Sequence, residues 1–295
     1  MTPYPLPSAG TLSVNNLPAP AKLNLFLHVI GRRDDGYHML QSVFALIDWC
    51  DRLHFTRRED GQISRRDTHP SDLPADDLCV RAAQALQQFT GCGLGAEIGL
   101  TKHLPMQAGL GGGSSDAATT LIVLNRLWGL DLPRAQLMDL ATQLGADVPF
   151  FVGGRNAWVE GIGEQLHSID LPPSLITIVK PAQGVSTVEI FRSSELKRDT
   201  KPATMVDFAG NDGERSPYTF GHNDLQDVAV LKNPGIQACI DWLQSKQLQA
   251  RMTGSGSAVF AAHPHAVEVI DAPADWLIHQ TCILDAHPLI DWLIG

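Results

Sequence analysis

Cysteine is scarce in this chain, and its placement excludes two classes of small protein. The five cysteines, at positions 50, 79, 92, 239 and 282, are odd in number, widely spaced and never form a C-x-x-C pair. Disulfide scaffolds and structural zinc sites both depend on paired or closely spaced cysteines. We therefore expect neither, and such isolated cysteines fit the reducing environment of the cytoplasm.

Long apolar runs and basic residues are also lacking. No apolar segment reaches the roughly 18 residues of a membrane helix, and no Lys or Arg precedes Lys22. We therefore expect no membrane association, signal peptide or transit peptide. The 22 Lys and Arg are outnumbered by 32 Asp and Glu, which gives a formal charge of −10. This balance argues against a nucleic-acid partner, although a local cluster of donors can still bind a small phosphorylated substrate.

What is present is a chain of 295 residues, 44% of them hydrophobic, which is enough for one large or two ordinary domains. Periodicity and Gly/Pro punctuation predict an α+β pattern without internal repeats. Strands are predicted at 22–29, 157–160, 175–180 and 257–261, and helices are predicted to begin at Asp77, Ser114, Arg134 and Asn233. Residues 1–20 and 57–77 are predicted to be irregular, 196–219 to be a mobile loop, and a last helix and strand to close the chain. We place the two domains at 1–165 and 166–295.

The first predicted strand has two different faces. Lys22, Asn24, Phe26 and His28 alternate with Leu23, Leu25, Leu27 and Val29. Alternate residues of a strand point to the same side, so Lys22 and Asn24 should project together, about 7 Å apart, with His28 further along that face.

The segment LPMQAGLGGGSSDAATTLIVL, residues 104–124, carries the strongest chemical signal. Its glycines lead directly into an amphipathic helix, whose first N–H groups have no partner within the helix and whose dipole is positive at that end. Glycine lets the backbone approach a ligand closely, and the serines add hydroxyl groups. These features predict a phosphate-binding loop. The alternative, a flexible linker, does not explain why the segment ends in a capped helix.

Other known phosphate loops do not match this segment. A Walker A loop needs a Lys after its last Gly, and a dinucleotide fingerprint starting at Gly109 fails at Ser114. The protein-kinase motifs H-R-D and D-F-G are absent.

Three segments in order resemble the motifs of the GHMP kinases, which include galactokinase, homoserine kinase and mevalonate kinase. They are APAKLN at 19–24, the glycine loop at 105–115 and TGSGSA at 253–258. Within that superfamily, residues 20–42, the triple-glycine loop and GADVPFFVGG at 145–154 are most similar to the branch that phosphorylates a diphosphocytidyl-methylerythritol in the non-mevalonate isoprenoid pathway. Residues 184–191 add weaker support.

The resemblance implies a fold and a reaction. The N-terminal domain would be a mixed α/β domain with a left-handed βαβ unit, and the C-terminal domain would be ferredoxin-like. ATP would bind at the glycine loop, Mg²⁺ would bridge its phosphates without an assigned protein ligand, and the acceptor would be the small molecule named above. The sequence leaves the oligomeric state open, a homodimer included.

The resemblance also assigns roles to individual residues. Asp147 would be the catalytic base, although alone it also fits a turn or capping residue, and Lys22 would be its partner, although a single strand lysine is usually solvated. Asn24 and His38 would hold the acceptor, and the His38 ring can donate or accept a hydrogen bond at the edge of the base. Tyr37 and Phe191 are candidates for stacking on cytosine, unless Phe191 belongs to the core. The ATP site would comprise Pro105, Met106, Gln107, Ala108, Gly109, Leu110, Gly111, Gly112, Gly113, Ser114 and Ser115.

Three alternatives stay open at this point. One is a nucleotide-binding regulator on the same fold, although ATP binding alone needs neither Lys22 nor Asp147. Another is a serine hydrolase, although residues 254–257 do not match the spacing of a G-x-S-x-G elbow. The third is a homoserine or mevalonate kinase, which a panel of acceptors would distinguish.

Overall fold

The computed structural model describes residues 4–8, 10–67, 77–209, 216–265, 267–268 and 270–294. The strands are β1 (Ser13–Arg32), β2 (His38–Arg58), β3 (Ile63–Asp67), β4 (Gly95–Thr101), β5 (Ala157–Glu160), β6 (Gln165–Ser168), β7 (Leu175–Lys180), β8 (Ala250–Met252), β9 (Val259–His263) and β10 (Leu277–Cys282). The α-helices are α1 (Leu78–Thr90), α2 (Gly112–Leu127), α3 (Arg134–Leu144), α4 (Val148–Gly153), α5 (Thr187–Arg192), α6 (Met205–Ala209), α7 (Gln226–Lys232) and α8 (Gly235–Ser245), with 3₁₀ turns at Pro217–Thr219 and Ile290–Trp292. Among these described helices, none has the length and apolarity that crossing a bilayer requires.

The first sheet has six strands and is centred on β2. The order is β3-β4-β2-β5-β6, and β1 pairs with β2 along its length. All pairs are antiparallel except β3 and β4, which α1 connects in a βαβ unit. The left hand of that crossover stays a prediction. Helices α1 to α4 cover one face of this sheet. The apolar core between them and the sheet includes Leu121 of α2 and Phe150 and Phe151 of α4.

The second sheet has four antiparallel strands in the order β10-β7-β9-β8. Numbered within the second half of the chain, this order is 4-1-3-2, the arrangement of a ferredoxin-like sheet. Helix α8 packs on it through Ile236, Ile240 and Leu243. The prediction of a helix before the last strand is wrong, because the described residues between β9 and β10 contain no helix. The chain then ends in a 3₁₀ turn.

Two predictions of irregular chain are wrong. Strand β1 begins at Ser13, within residues 1–20, which were predicted to be irregular. Its prolines are tolerated because β1 pairs with β2 on one side alone and is therefore an edge strand of the sheet. Strand β3 lies within the predicted loop 57–77, where pairing with β4 holds a polar sequence extended. Residues 68–76 of that loop lie outside the described residues.

The segment 196–219, predicted to be a mobile loop, is irregular at 196–204 as predicted, but the rest of its described part is not. It contains α6 and a 3₁₀ turn, and it buries Leu196, Phe208 and Tyr218. Residues 210–215 lie outside the described chain. This stretch therefore contributes to the packed core between the two sheets.

The two halves are joined by more than the linker between β6 and β7. Strand β1 places Leu27 and Val29 in the core of the second sheet. In the opposite direction, the C-terminal residues Leu289 and Trp292 pack in the core of the first sheet. The change of sheet between 168 and 175 lies close to the predicted boundary at 165, which stays a prediction.

Candidate active site

A groove of about 1190 Å³ runs between the two halves of the molecule, a volume sufficient for two small substrates. Although the chain is acidic, the described residues that line the groove include six basic and only three acidic ones. The basic residues are Lys22, Arg32, Arg81, Lys102, Arg192 and Arg198, and the acidic ones are Asp77, Asp116 and Asp147. This local reversal of charge favours phosphorylated ligands.

The three motif segments meet at this groove through backbone contacts. Lys22 N–H donates to Leu110 O at 2.9 Å, and Ala258 N–H donates to Ala108 O at 3.3 Å. Asn24 N–H donates to the Thr253 hydroxyl at 2.7 Å. Segments more than 200 residues apart in sequence therefore hold one another in place, as a shared site requires.

The glycine loop approaches its neighbours too closely for side chains. A Cβ on Gly109 would lie 2.4 Å from Thr253 O, and the residue has a φ of +76°, a conformation that favours glycine. A Cβ on Gly111 would lie 3.0 Å from Phe151 and 3.1 Å from Lys22 Cγ. These glycines therefore let the loop pack between the third motif and Lys22.

Helix α2 begins at Gly112, two residues before the predicted start, because Gly111 takes the left-handed conformation as its N-cap. No side chain caps this end, so its first N–H groups are available to an anion. Residues 105 to 114 line the groove, whereas Ser115 is fully buried and its hydroxyl has no hydrogen-bond partner among the described residues. The loop thus has the form of a phosphate cradle, and Ser115 lies behind it.

Lys22 and Asp147 form the ion pair at the centre of the groove, with 3.5 Å between Nζ and Oδ2. The lysine side chain is 5% exposed and the carboxylate 31%. Lys22 also donates to Asn24 Oδ1, and its Nζ lies 4.6 Å from the centre of the Phe44 ring. Burial and these contacts show that Lys22 is not a solvated strand lysine.

Asp147 stands at the N-cap of α4 but does not cap it, because its side chain accepts no hydrogen bond from that helix. A capping aspartate would accept from an N–H of the first turn. The carboxylate instead contacts Lys22 and keeps an exposed edge on the groove. This geometry favours a chemical role over a structural one.

Asn24 connects the lysine to the sheet. Its Nδ2 donates to the Ser42 hydroxyl at 2.8 Å, while its Oδ1 accepts from Lys22. The prediction that His28 lies on this same face is wrong, because the pairing of β1 with β2 shifts between Asn24 and Leu27. Such a bulge reverses the faces of the residues that follow. Leu27 lines the groove, and His28 packs against His222.

The residues predicted to bind a base lie at another part of the groove wall. The rings of His38 and Phe191 are 5.0 Å apart, and Tyr37, 60% exposed, lines the same groove. Phe191 is half-buried, and it also packs against the core of the second sheet. The structure therefore brings the three side chains to one groove without excluding a packing role for Phe191.

A buried cluster beside the loop was missed by sequence reasoning. Lys102 forms ion pairs with Asp51 and with Asp116, the latter at 2.8 Å. Asp51 Oδ1 also accepts from the N–H groups of His103 and Leu104, at 2.6 and 2.8 Å. Burial and the nearby Asp51 raise the pKa of Asp116. The available signal was Asp116 in the first turn of α2, but its partners come from other strands.

Models of known families match two parts of the chain. Residues 77–155 match the GHMP kinases N terminal domain, and residues 214–277 match the GHMP kinases C terminal. A protein of Delftia acidovorans named 4-diphosphocytidyl-2-C-methyl-D-erythritol kinase is 58% identical over 95% of this chain and 98% of its own length. The chain belongs to this family of GHMP kinases. A protein of Acidovorax ebreus with the same name is 57% identical, over 95% of this chain and 98% of its own.

Solved structures agree with this membership. A 4-(cytidine 5'-diphospho)-2C-methyl-D-erythritol kinase superposes with a TM-score of 0.74 and 32% identity, over 92% of this chain and 99% of its own. A homoserine kinase from Cytophaga hutchinsonii has a TM-score of 0.70 over 96% of this chain and 98% of its own, but only 14% identity, so it supports the fold alone. The expected two-domain GHMP fold and a kinase activity are thereby confirmed. The regulator and hydrolase alternatives are set aside.

Proposed function

We propose that this GHMP kinase transfers the γ-phosphoryl group of ATP to the 2-hydroxyl of 4-diphosphocytidyl-2-C-methyl-D-erythritol, giving the 2-phosphate. The observation that carries the reaction is the pairing of buried Lys22 with a non-capping Asp147, at the groove reached by the open end of α2. The identity of the acceptor is supported by the high identity to relatives named for it. Homoserine and mevalonate are disfavoured, because three solved kinases named for them are only 12–14% identical.

The reaction needs positioning and charge neutralisation more than covalent chemistry. The free N–H groups at the start of α2 would bind the phosphates of ATP, and the glycines let the loop that carries them pack closely against Thr253 and Phe151. The Asp147 carboxylate would take the proton of the acceptor hydroxyl as that oxygen attacks the γ-phosphorus. The bond from the γ-phosphorus to the bridging oxygen breaks, and ADP leaves with that electron pair.

Lys22 would serve two purposes in this step. Its ammonium, 3.5 Å from the carboxylate, holds Asp147 in position to accept a proton. The same charge stabilises negative charge that develops on the oxygens of the transferred group. Asn24 holds the ammonium toward the carboxylate, because its side chain accepts from Nζ while its amide is tied to Ser42. We also propose, as predicted, that Asn24 contacts the acceptor.

The residues around the loop fit a Mg²⁺ ion bound mainly through phosphates. The described residues contain no cluster of three or more metal-binding side chains, and Mg²⁺ in such enzymes commonly takes one or two carboxylates plus phosphate oxygens. Asp116 fits this role, because its buried Oδ1 has no hydrogen-bond partner in the described structure and the residue lines the groove. The ion would neutralise phosphate charge during transfer.

A kinase assay with a panel of acceptors tests the proposal. The purified enzyme, ATP and Mg²⁺ are incubated separately with 4-diphosphocytidyl-2-C-methyl-D-erythritol, mevalonate, phosphomevalonate and homoserine, and ADP release is followed. We expect rapid ADP release only with the first, and ³¹P NMR should show a new phosphate monoester on C2. Efficient turnover of homoserine or mevalonate instead would overturn the assignment of the acceptor and leave the kinase fold intact.

A further inference from the structure

Arg198 lies beside the residues proposed to bind the base, in the irregular segment that follows α5. Its Nε donates to His38 Nε2 at 3.0 Å. Its Nη2 donates to Phe191 O at 3.1 Å and to Ser193 O at 2.8 Å, and its Nη1 donates to Leu196 O at 2.9 Å. One guanidinium therefore connects the histidine on β2 to the end of α5. Among the described residues, no carboxylate lies within ion-pairing distance of Arg198.

The hydrogen bond to His38 determines which ring nitrogen carries the proton. A guanidinium has five N–H donors and no acceptor, so His38 Nε2 must be the unprotonated acceptor. In the neutral ring the proton then resides on Nδ1. Burial, Arg198 and Arg32 together lower the pKa of His38, which favours this neutral ring. Nδ1 has no hydrogen-bond partner in the described part of the chain, and His38 lines the groove.

The contacts to α5 hold the second base-binding residue. Phe191 and Ser193 lie at the C-terminal end of this six-residue helix, where carbonyl groups have no partners within the helix. Arg198 satisfies two of these carbonyls, and cations are favoured at this end of a helix. The same side chain therefore fixes both the His38 ring and the backbone that carries the Phe191 ring.

The Nδ1–H of His38 suits one pyrimidine better than the other. Cytosine presents hydrogen-bond acceptors at N3 and O2, whereas N3 of uracil carries a proton and is a donor. A histidine held with a donor toward the groove can bind the cytosine edge, but it places two donors against each other at N3 of uracil. A buried pair of facing donors is unfavourable, because neither is satisfied.

We infer that Arg198 is a positioning residue that makes this kinase select a cytidine over a uridine diphosphate acceptor, by holding His38 as its Nδ1–H tautomer next to Phe191. The inference rests on the proposed function, because it assumes that His38 and Phe191 contact the base. Arg198 itself acts through these two residues and needs no contact with the transferred phosphate.

Arg198→Met tests this inference, with Lys197→Met as the matched control, since Lys197 is an exposed neighbour. KM and kcat are measured for the cytidine acceptor, its uridine analogue and ATP. Losing an ordered hydrogen bond to a charged group should raise KM for the cytidine acceptor about tenfold or more. KM for the uridine analogue should change less, so that discrimination between the two bases falls. The control should behave as the wild type, with kcat and KM for ATP preserved in both variants.

The pH dependence separates tautomer control from a general loss of structure. In the Met variant a neutral His38 can carry its proton on Nε2, but protonation restores the Nδ1–H donor. The ratio of variant to wild-type KM for the cytidine acceptor should therefore fall as the pH is lowered from about 8 to about 6. A ratio that does not change with pH, or a variant with unchanged base discrimination, would overturn the role of Arg198.

A measurement on the wild-type enzyme covers the case in which the variant does not fold. ¹⁵N NMR of the imidazole nitrogens, assigned with a His38→Gln sample, should show His38 as the Nδ1–H tautomer at neutral pH. An Nε2–H tautomer would refute the inference. If the wild-type enzyme turns over the cytidine acceptor, the proposed function stands regardless of the result for Arg198. If the wild-type enzyme is inactive on that acceptor, the proposed function itself is refuted.

Discussion

The Lys22–Asp147 pair makes a quantitative prediction in which catalysis and stability respond differently. Asp147→Asn preserves the shape of the side chain but removes the charge that faces a lysine only 5% exposed. At their separation of 3.5 Å, two unit charges attract by about 5 kcal/mol for an effective dielectric constant near 20. Because the carboxylate is 31% exposed, water screens much of this, and about 1–3 kcal/mol of the free energy of unfolding should depend on the pair.

A double-mutant cycle measures this coupling. Asp147→Asn and Lys22→Met should each destabilise the protein, but the double variant should be more stable than their sum implies by about 1–3 kcal/mol, since no unpaired charge remains. Activity should not recover in the same way. Loss of the base should reduce kcat by about 10²–10⁴-fold in Asp147→Asn, and the double variant should stay at least as inactive.

The assays are urea unfolding for stability, steady-state kinetics for turnover and equilibrium dialysis for ATP affinity, which should change little in Asp147→Asn. Asp139→Asn, an exposed carboxylate on α3, is the control for removing one negative charge. An Asp147→Asn enzyme with normal kcat would refute Asp147 as the base. Strictly additive unfolding free energies in the cycle would show that the two charges do not interact.

Four further predictions follow from the structure. Gly109→Ala should lower the free energy of unfolding by more than about 2 kcal/mol, because the residue has a positive φ and its Cβ would lie 2.4 Å from a backbone oxygen. Gly112→Val should instead mainly weaken ATP binding, which calorimetry measures. An unchanged dissociation constant for ATP would place the phosphates elsewhere. Tyr37→Ala and Phe191→Ala should each weaken binding of the cytidine acceptor by about 1–3 kcal/mol without changing ATP affinity. Because Tyr37 is exposed, Tyr37→Ala should leave the melting temperature unchanged. Loss of ATP binding together with acceptor binding would contradict a separate base site. Burial lowers the pKa of His287 to about 3, so the unfolded chain binds more protons than the folded protein once the pH falls below about 6.5. The free energy of unfolding should then fall by up to about 1.4 kcal/mol per pH unit in the wild type and less steeply in His287→Phe. Equal slopes in the two proteins would exclude His287 as the cause.

Local signals predicted the parts of the site that depend on neighbouring residues in sequence. The glycine loop, its helix and the capping role of Asp77, whose side chain accepts from Val80 N–H at 3.1 Å, all follow from short segments. The pairing of Lys22 with Asn24 followed from alternation along one strand. In each case the residues that interact lie close together in the sequence.

What the sequence did not predict depends on partners that are distant along the chain. The bulge after Asn24 is set by the register with β2, so alternation alone placed His28 on the wrong face. Strand β2 was missed because residues 41–47 are buried continuously and show no period of two. Arg198 was missed because its contact with His38 exists only after the two halves have packed.

The exchange of chain segments between the halves limits how the enzyme can be engineered. An isolated fragment covering residues 1–165 would lack Leu289 and Trp292, and it would leave the apolar surface beneath them open to water. The complementary fragment would lack Leu27 and Val29 of β1 and the cover that they give its sheet. Grafting the second half of one GHMP kinase onto the first half of another should therefore yield insoluble chimeras. Transplanting β1 and the C-terminal segment together with the halves that they cover is the change that should restore soluble protein.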